Sequence, residues 1–103
     1  MLVLDRAHFD HMTGADRALQ VEILGLFRMQ VEGWAAALGA EGWSSAVHTL
    51  KGSARGIGLN ALAAACEAAE QAPEAERGAA LAHVRTTLDE ALVALEQFAA
   101  AAA

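Results

Sequence analysis

The 103-residue sequence contains one cysteine, one proline and one lysine. Its single cysteine, Cys66, excludes an internal disulfide and supplies too few thiolates for a typical structural zinc site. The alanines around Cys66 favour a buried, hydrophobic role for this side chain. Proline occurs only at Pro73, and no β-branched run persists, so long stretches of the chain are free to form helices.

Long hydrophobic runs are also missing, although 55% of the residues are hydrophobic. No apolar run approaches the roughly 18 residues that are needed to cross a bilayer. The first ten residues lack both the basic start and the uninterrupted apolar stretch of a secretory signal. We therefore expect a cytoplasmic protein that does not enter the membrane.

Positive charge is scarce, because seven lysines and arginines face thirteen acidic residues and leave a net charge of -6. Nucleic-acid binding needs cations gathered into a stripe that neutralises phosphates. We expect no nucleic-acid partner for this reason. The position of the only lysine, Lys51, becomes correspondingly informative.

The remaining composition, dominated by alanine, leucine, glutamate and arginine, predicts an all-α protein. Helical spacing and helix-ending residues predict helices over residues 5–11, 16–38, 43–56 and 60–71, and a last helix that starts at Pro73. Thr13 and Asp16 have the spacing of a capping box at the start of the second helix. Short connections favour antiparallel neighbours. We predict one domain over residues 1–103, an antiparallel up-and-down four-helix bundle with a short extra N-terminal helix.

The second predicted helix carries apolar residues at spacings of three and four, which indicates one side that faces the core. Gln30 is the polar member of this set. The other members are Leu19, Ile23, Leu26, Phe27, Val31, Trp34 and Leu38.

His48 lies in the helix predicted over residues 43–56. At about 100° per residue, Lys51, Gly52 and Arg55 fall within about 60° of His48 around the helix. The opposite side carries a mostly apolar stripe made of Trp43, Ala46, Val47, Leu50, Ser53, Ala54 and Ile57. A histidine in an apolar chain is most often a hydrogen-bonded core residue, but this pattern predicts that His48 points into solvent.

An exposed neutral imidazole is a competent nucleophile near pH 7, because its ordinary pKa is about 6.5 and one ring nitrogen keeps a free lone pair. Phosphoryl transfer needs in-line positioning and cations that balance the charge on the phosphoryl oxygens. Lys51, one turn from His48, is placed to supply one such cation. Gly52, at i+4, leaves room for a second protein to reach the imidazole. Close helix packing is the alternative reason for this glycine, which costs a helix about 1 kcal/mol relative to alanine.

The segment HTLKGSA, from His48 to Ala54, followed by Gly58, resembles the signature of histidine phosphotransfer (HPt) domains. The resemblance covers nearly the whole chain. It includes the N-terminal segment 12–16 and the later residues Leu19, Ile23, Leu24, Phe27, Leu62, Cys66 and Glu70.

This resemblance implies a four-helix bundle in which His48 carries the phosphoryl group, Lys51 lies beside it and Gly52 is the family's small residue. It also implies relay between aspartates of receiver domains, those of response regulators and of a hybrid histidine kinase. The magnesium ion would be bound by the receiver, and this chain would need no metal or cofactor. Arg55 occupies a position that varies in the family, so receiver docking or phosphate contact and a solvated surface arginine are both open. We expect a monomer, because the bundle is complete within one chain.

Other functions are weighed against this relay. A non-catalytic helical adaptor could bind a signalling partner through the His48 face, but binding alone does not explain a lysine at i+3 and a glycine at i+4. The phosphoacceptor domain of a histidine kinase usually has an acidic residue after its histidine and a proline five positions on, where this sequence has Thr49 and Ser53. No nucleotide-binding loop or ATP-binding domain fits in the chain, so we expect no ATP-dependent kinase activity. A hydrolase is disfavoured because no serine or cysteine has an identifiable base partner.

The other titratable residues are not expected to take part in the chemistry. His8 and His11 could chelate a metal ion only with a third ligand, which the sequence does not place near them. His83 has neither a lysine nor a glycine at matching offsets, so a structural or surface role is expected. Glu67 and Glu70 are expected to be solvated charges.

Overall fold

The computed structural model describes residues 1–39 and 41–102, and every regular element within these ranges is an α-helix. The five helices are α1 (Arg6–Thr13), α2 (Arg17–Ala37), α3 (Trp43–Ile57), α4 (Asn60–Gln71) and α5 (Glu74–Ala102). The all-α prediction is confirmed, and the predicted helix bounds are close to the observed ones. Within the described ranges, no helix is long and apolar enough to cross a membrane.

The start of α2 differs from the predicted capping box. Asp16 is itself the N-cap residue, and its carboxylate accepts a hydrogen bond from the backbone N–H of Leu19 at 3.1 Å. Thr13 instead ends α1, where its hydroxyl donates to the carbonyl oxygen of Phe9 at 2.8 Å. The capping-box prediction is wrong because Gly14, with a φ of +62°, ends the first helix only after Thr13.

The buried side of α2 agrees in part with the predicted one, since Phe27, Trp34 and Leu38 are buried and Ile23 and Val31 pack against the core. Leu19 and Leu26 are exposed, and Gln30, the predicted polar core residue, is exposed as well. The buried positions of this helix are Gln20, Leu24, Phe27 and Trp34. Periodicity ranks positions by apolar character, so it could not place a glutamine at the centre of the buried side.

Gln20 is fully buried because α1 and the first turn of α2 satisfy its amide group. The amide nitrogen donates to Asp10 Oδ1 at 2.7 Å and to Thr13 Oγ1 at 2.9 Å, and the amide oxygen accepts from Arg17 at 3.1 Å. A buried amide with partners for both of its ends costs little, whereas an unpaired one costs about 1–3 kcal/mol. This network joins α1 to α2.

The turn after α3 fastens the N-terminal segment to the bundle. Gly58 ends α3 with a φ of +98°, and a Cβ at this position would lie 2.9 Å from the carbonyl oxygen of Asp5. The backbone N–H of Asp5 donates to the Gly58 carbonyl at 2.7 Å, and that of Ala61 donates to the Leu2 carbonyl at 3.0 Å. Only glycine combines this backbone conformation with so close an approach.

Helix α3 lies between α2 and α4, and its packing against α4 is the most extensive in the molecule. Val47, Leu50 and Ala54 are completely buried on this helix. The alanines of α4, among them Ala63, allow close approach, because small side chains let helix axes come together. One side of α3 is therefore fixed in the core, and the other side faces solvent.

Candidate functional site

The side chain of His48 projects from the solvent-facing side of α3 and is 75% exposed. Val47 and Leu50, which lie on the opposite side of α3 from His48, are buried. They hold the helix in one rotational setting. The prediction that His48 points into solvent is confirmed.

Glu70 of α4 lies between His48 and Lys51. One of its carboxylate oxygens is 2.7 Å from Lys51 Nζ, and the other is 3.6 Å from His48 Nδ1. The Lys51 side chain is 16% exposed and that of Glu70 is 26% exposed, so neither is freely solvated. The expectation that Glu70 is a solvated charge is wrong, because the close packing of α3 against α4 brings the two helices' polar edges together.

The charge state of Glu70 follows from these contacts. The hydrogen bond from Lys51 is the main reason why the pKa of Glu70 lies below its ordinary value. Partial loss of hydration raises this pKa, but the positive charge of Lys51 and the interaction with His48 lower it further. Glu70 is therefore ionised at neutral pH and presents a full negative charge to the imidazole.

Cys66 lies beneath this pair and is completely buried, as predicted. Burial raises the pKa of its thiol to about 11, and the negative charge of Glu70 adds to the increase while Lys51 opposes it. The side chain is consequently a neutral thiol at physiological pH, with no thiolate to act as a nucleophile.

Arg55 lies one turn beyond Lys51 and pairs with Glu67 of α4, with 3.2 Å between Arg55 Nη2 and Glu67 Oε2. Both side chains remain about half exposed, so Glu67 is a paired but hydrated charge. Both cations near His48 are thus matched by carboxylates of α4.

Gly52 is exposed, and a Cβ built at this position would meet no atom within 4 Å. Close helix packing, the alternative reason for this glycine, is therefore excluded. The open space above Gly52 continues the solvent-facing surface that surrounds His48.

An apolar groove of about 400 Å³ lies between α1, α2 and α3, on the side of His48 away from Lys51 and Arg55. Met12 of α1, Ile23 and Leu26 of α2, and Ser53 and Gly56 of α3 are among its lining residues, none of which is charged. Met12 is 59% exposed and Leu26 is 54% exposed. Leu26, which was expected in the core from its helical spacing, lines this groove instead.

The remaining histidines lie elsewhere. His11 and His83 are exposed, and His8 packs beside Gly58 at the end of α3. Across residues 1–39 and 41–102, no group of three or more histidine, cysteine, aspartate or glutamate residues is placed to hold a metal ion.

The geometry around His48 suits nucleophilic chemistry at one ring nitrogen. His48 Nδ1 lies 3.6 Å from the Glu70 carboxylate, whose negative charge favours the tautomer of the neutral ring that has its proton on Nδ1 and its lone pair on Nε2. Lys51 places an ammonium group one helical turn away, and Gly52 leaves the approach open.

Comparison with known protein families gives one match. The family model of the Hpt domain matches residues 10–98, which include His48 and the residues around it on both α3 and α4. No curated protein and no solved structure matches the chain.

Proposed function

Because the chain belongs to the Hpt domain family, we propose that it relays a phosphoryl group between aspartates of receiver domains through a phosphohistidine at His48. The family supports a role in histidine phosphotransfer and two-component signalling. The observation that carries the proposal is the exposed imidazole of His48, with the Glu70 carboxylate beside Nδ1 and Lys51 one turn away.

The transfer step follows from the favoured tautomer. The Nε2 lone pair of His48 attacks the phosphorus of the receiver's aspartyl phosphate, in line with the phosphorus–oxygen bond that breaks. The electron pair of that bond stays on the receiver's carboxylate. The imidazole becomes a phosphorylated imidazolium that keeps its proton on Nδ1, so no proton has to move during the step.

Lys51 is the cation assigned to the phosphoryl oxygens. An ammonium group has three N–H donors, and Glu70 occupies one of them at 2.7 Å. The other donors are free to bind the incoming oxygens while the first still fixes the side chain. This arrangement limits the rotamer freedom that an unpaired lysine would lose during transfer.

Receiver domains are the partners, as in other Hpt domains. We propose that the receiver covers both His48 and the apolar groove. Ser53 and Gly56 follow His48 by five and eight residues, or about 8 and 12 Å along the helix. An interface that is centred on His48 and buries about 800 Å² of each partner extends at least this far in every direction. We assign the magnesium ion to the receiver and no cofactor to this chain.

We further propose that α2 to α5 form an antiparallel up-and-down bundle in a single domain that acts as a monomer in the cytoplasm. The connections of two residues between α3 and α4, and between α4 and α5, support the reversal of direction at each turn.

The proposal is tested by incubating the purified protein with a panel of phosphorylated receiver domains. We expect wild type and the control His83→Ala to take up label that is acid-labile and alkali-stable, and His48→Ala to take up none. Label on His48→Ala would contradict the assignment. Binding of receivers without label on any variant, with folding confirmed by circular dichroism, would instead support a non-catalytic adaptor that uses the same face.

A further inference from the structure

Phosphorylation changes the charge that Glu70 faces. In the described part of the chain, Glu70 is the one residue paired with both His48 and Lys51. Attack by Nε2 leaves the ring positively charged, with a proton on Nδ1, and this nitrogen lies 3.6 Å from Glu70 Oε2. The neutral histidine before transfer has no such positive charge. The carboxylate therefore interacts more strongly with the phosphorylated ring than with the free one.

The proton on Nδ1 decides how well phosphohistidine donates its phosphoryl group. When the nitrogen–phosphorus bond breaks, its electron pair returns to Nε2. If Nδ1 is protonated, neutral imidazole leaves. If Nδ1 has lost its proton, the leaving group is an imidazolate anion, a much stronger base and a poorer leaving group. Donor activity therefore depends on keeping this proton in place near neutral pH.

We propose that Glu70 holds the Nδ1 proton on phosphorylated His48 and thereby keeps the phosphohistidine in its donor form. This inference rests on the proposed function and extends it to the return step of the relay. Glu70 acts here as a positioning residue, since it interacts with the part of the ring that does not bind phosphorus.

The other groups near the ring do not serve this purpose. On α3, Lys51 and Arg55 are cations, which disfavour a positively charged ring. On α4, Glu67 is engaged by Arg55 at 3.2 Å, and Cys66 is a buried neutral thiol. Glu70 remains as the carboxylate near Nδ1, and the hydrogen bond from Lys51 holds its pKa below the ordinary value, so it is ionised near neutral pH.

A competing explanation is that Glu70 only anchors Lys51. The two roles differ in what they predict for the phosphorylated ring. An anchor of Lys51 affects the rate of transfer in both directions and leaves the protonation of Nδ1 unchanged. A carboxylate that holds the proton raises the pH at which the phosphorylated ring loses it, and its effect on donation depends on pH.

The first experiment measures the ring directly. Wild type, Glu70→Gln and the control Glu90→Gln, which changes an exposed glutamate of α5, are phosphorylated with phosphoramidate, which supplies the phosphoryl group and releases ammonia without any receiver. The ring titration is then followed by NMR. We expect the midpoint in Glu70→Gln to lie about 0.5–1 unit below that of wild type, a screened value for a partly exposed pair, and that of Glu90→Gln to match wild type. Equal midpoints in wild type and Glu70→Gln would overturn the inference.

The second experiment measures donation to an unphosphorylated receiver as a function of pH. Below pH 6 any loss of rate in Glu70→Gln reports only the loosened Lys51 side chain. Between pH 6 and pH 8 its rate relative to wild type should fall by a further factor of about three to ten, as the midpoint shift requires, while Glu90→Gln should match wild type throughout. A loss that is the same at every pH would favour the anchor role and count against the inference. Glu70→Asp retains the charge farther from the ring and should give an intermediate midpoint, which provides a second variant if Glu70→Gln folds poorly. Loading by phosphoramidate keeps these outcomes separate from a failure of receiver-dependent transfer, which would bear on the proposed function.

Discussion

The two sides of His48 differ in composition. On one side, which we call the charged flank, Lys51 and Arg55 of α3 pair with Glu70 and Glu67 of α4. Every member of this flank is held by an ion pair that crosses from one helix to the other. The flank is polar and close to electrically neutral.

The other side, the apolar flank, consists of Gly56 on α3 and the groove walls formed by Met12, Ile23 and Leu26, and Gly52 lies at the boundary between the two flanks. Within residues 1–39 and 41–102, no charged residue lines the groove. Its side chains are partly exposed and contiguous, which is unusual for a surface that stays in water and typical of one that is covered by a partner.

This difference indicates a division of labour. Exposed ion pairs contribute little net binding energy, about 0–1 kcal/mol each, but they fix charges at defined positions near a reacting phosphoryl group. Apolar area contributes about 25 cal/mol per Å² when a partner covers it, and it has no direct effect on the reaction. Changes in the charged flank should therefore alter the rate of transfer, and changes in the apolar flank should alter the affinity for the receiver.

The largest effect is expected at the boundary between the flanks. Gly52→Gln should reduce transfer from receivers by about 100-fold, because the side chain occupies the approach to the imidazole and displaces the reacting groups. Helicity should be unchanged or higher, since glutamine is a better helix former than glycine. Labelling by phosphoramidate, which is much smaller than a receiver, should persist.

Gly25→Gln is the matched control, since this glycine of α2 is also helical and a Cβ there would meet no atom within 4 Å. Unimpaired transfer from a receiver to Gly52→Gln would show that access over this position is not needed.

Within the charged flank, Lys51→Ala should slow phosphorylation of His48 by about 10- to 100-fold at saturating receiver, because a cation near the phosphoryl oxygens is lost. The receiver Kd should change little, and circular dichroism should show intact helices. Arg85→Ala, which breaks a surface pair with Asp89 on α5, serves as the control. Wild-type rates in Lys51→Ala would remove this residue from the site.

Within the apolar flank, Leu26→Gln should raise the receiver Kd by about three- to tenfold and leave the rate at saturation unchanged. Val93→Gln on α5 is a close control, because Val93 is also an apolar residue that is 54% exposed, but it lies outside the groove. Isothermal titration and single-turnover transfer measure the two quantities separately. If both variants gave the same Kd, the groove would not be part of the receiver interface.

The charged and apolar flanks also differ in how far the sequence predicts them. The side of α3 that carries His48, Lys51 and Gly52 could be predicted because it depends on the periodicity of one helix, whose buried stripe is strongly apolar. Glu70 could not be assigned, since its position relative to His48 depends on how α4 packs against α3. The spacing of three residues between Glu67 and Glu70 places both on one side of α4, but this spacing does not show that the side faces α3.

The apolar flank was missed for a related reason. Periodicity alone placed Leu26 in the core and gave Gln30 the role of a buried polar residue, whereas the fold buries Gln20 and exposes the other two. The correct setting of α2 depends on Asp10 and Thr13, which satisfy the amide of Gln20 from a different helix. Tertiary hydrogen bonds of this kind leave no periodic signal in the sequence.

The smallest effect is expected for changes at Arg55, and these changes distinguish phosphate contact from receiver docking as its role. Arg55→Ala leaves Glu67 without its partner and adds one net negative charge near the phosphoryl group, so transfer at low ionic strength should slow by about two- to threefold. Because both side chains are half exposed, raising the salt concentration to about 0.5 M should remove most of this difference. Glu67→Gln should have the opposite effect and speed transfer, since it releases Arg55 toward the phosphoryl group. A higher receiver Kd with an unchanged rate would instead assign Arg55 to docking, and the charged flank would then contribute to affinity as well as to rate.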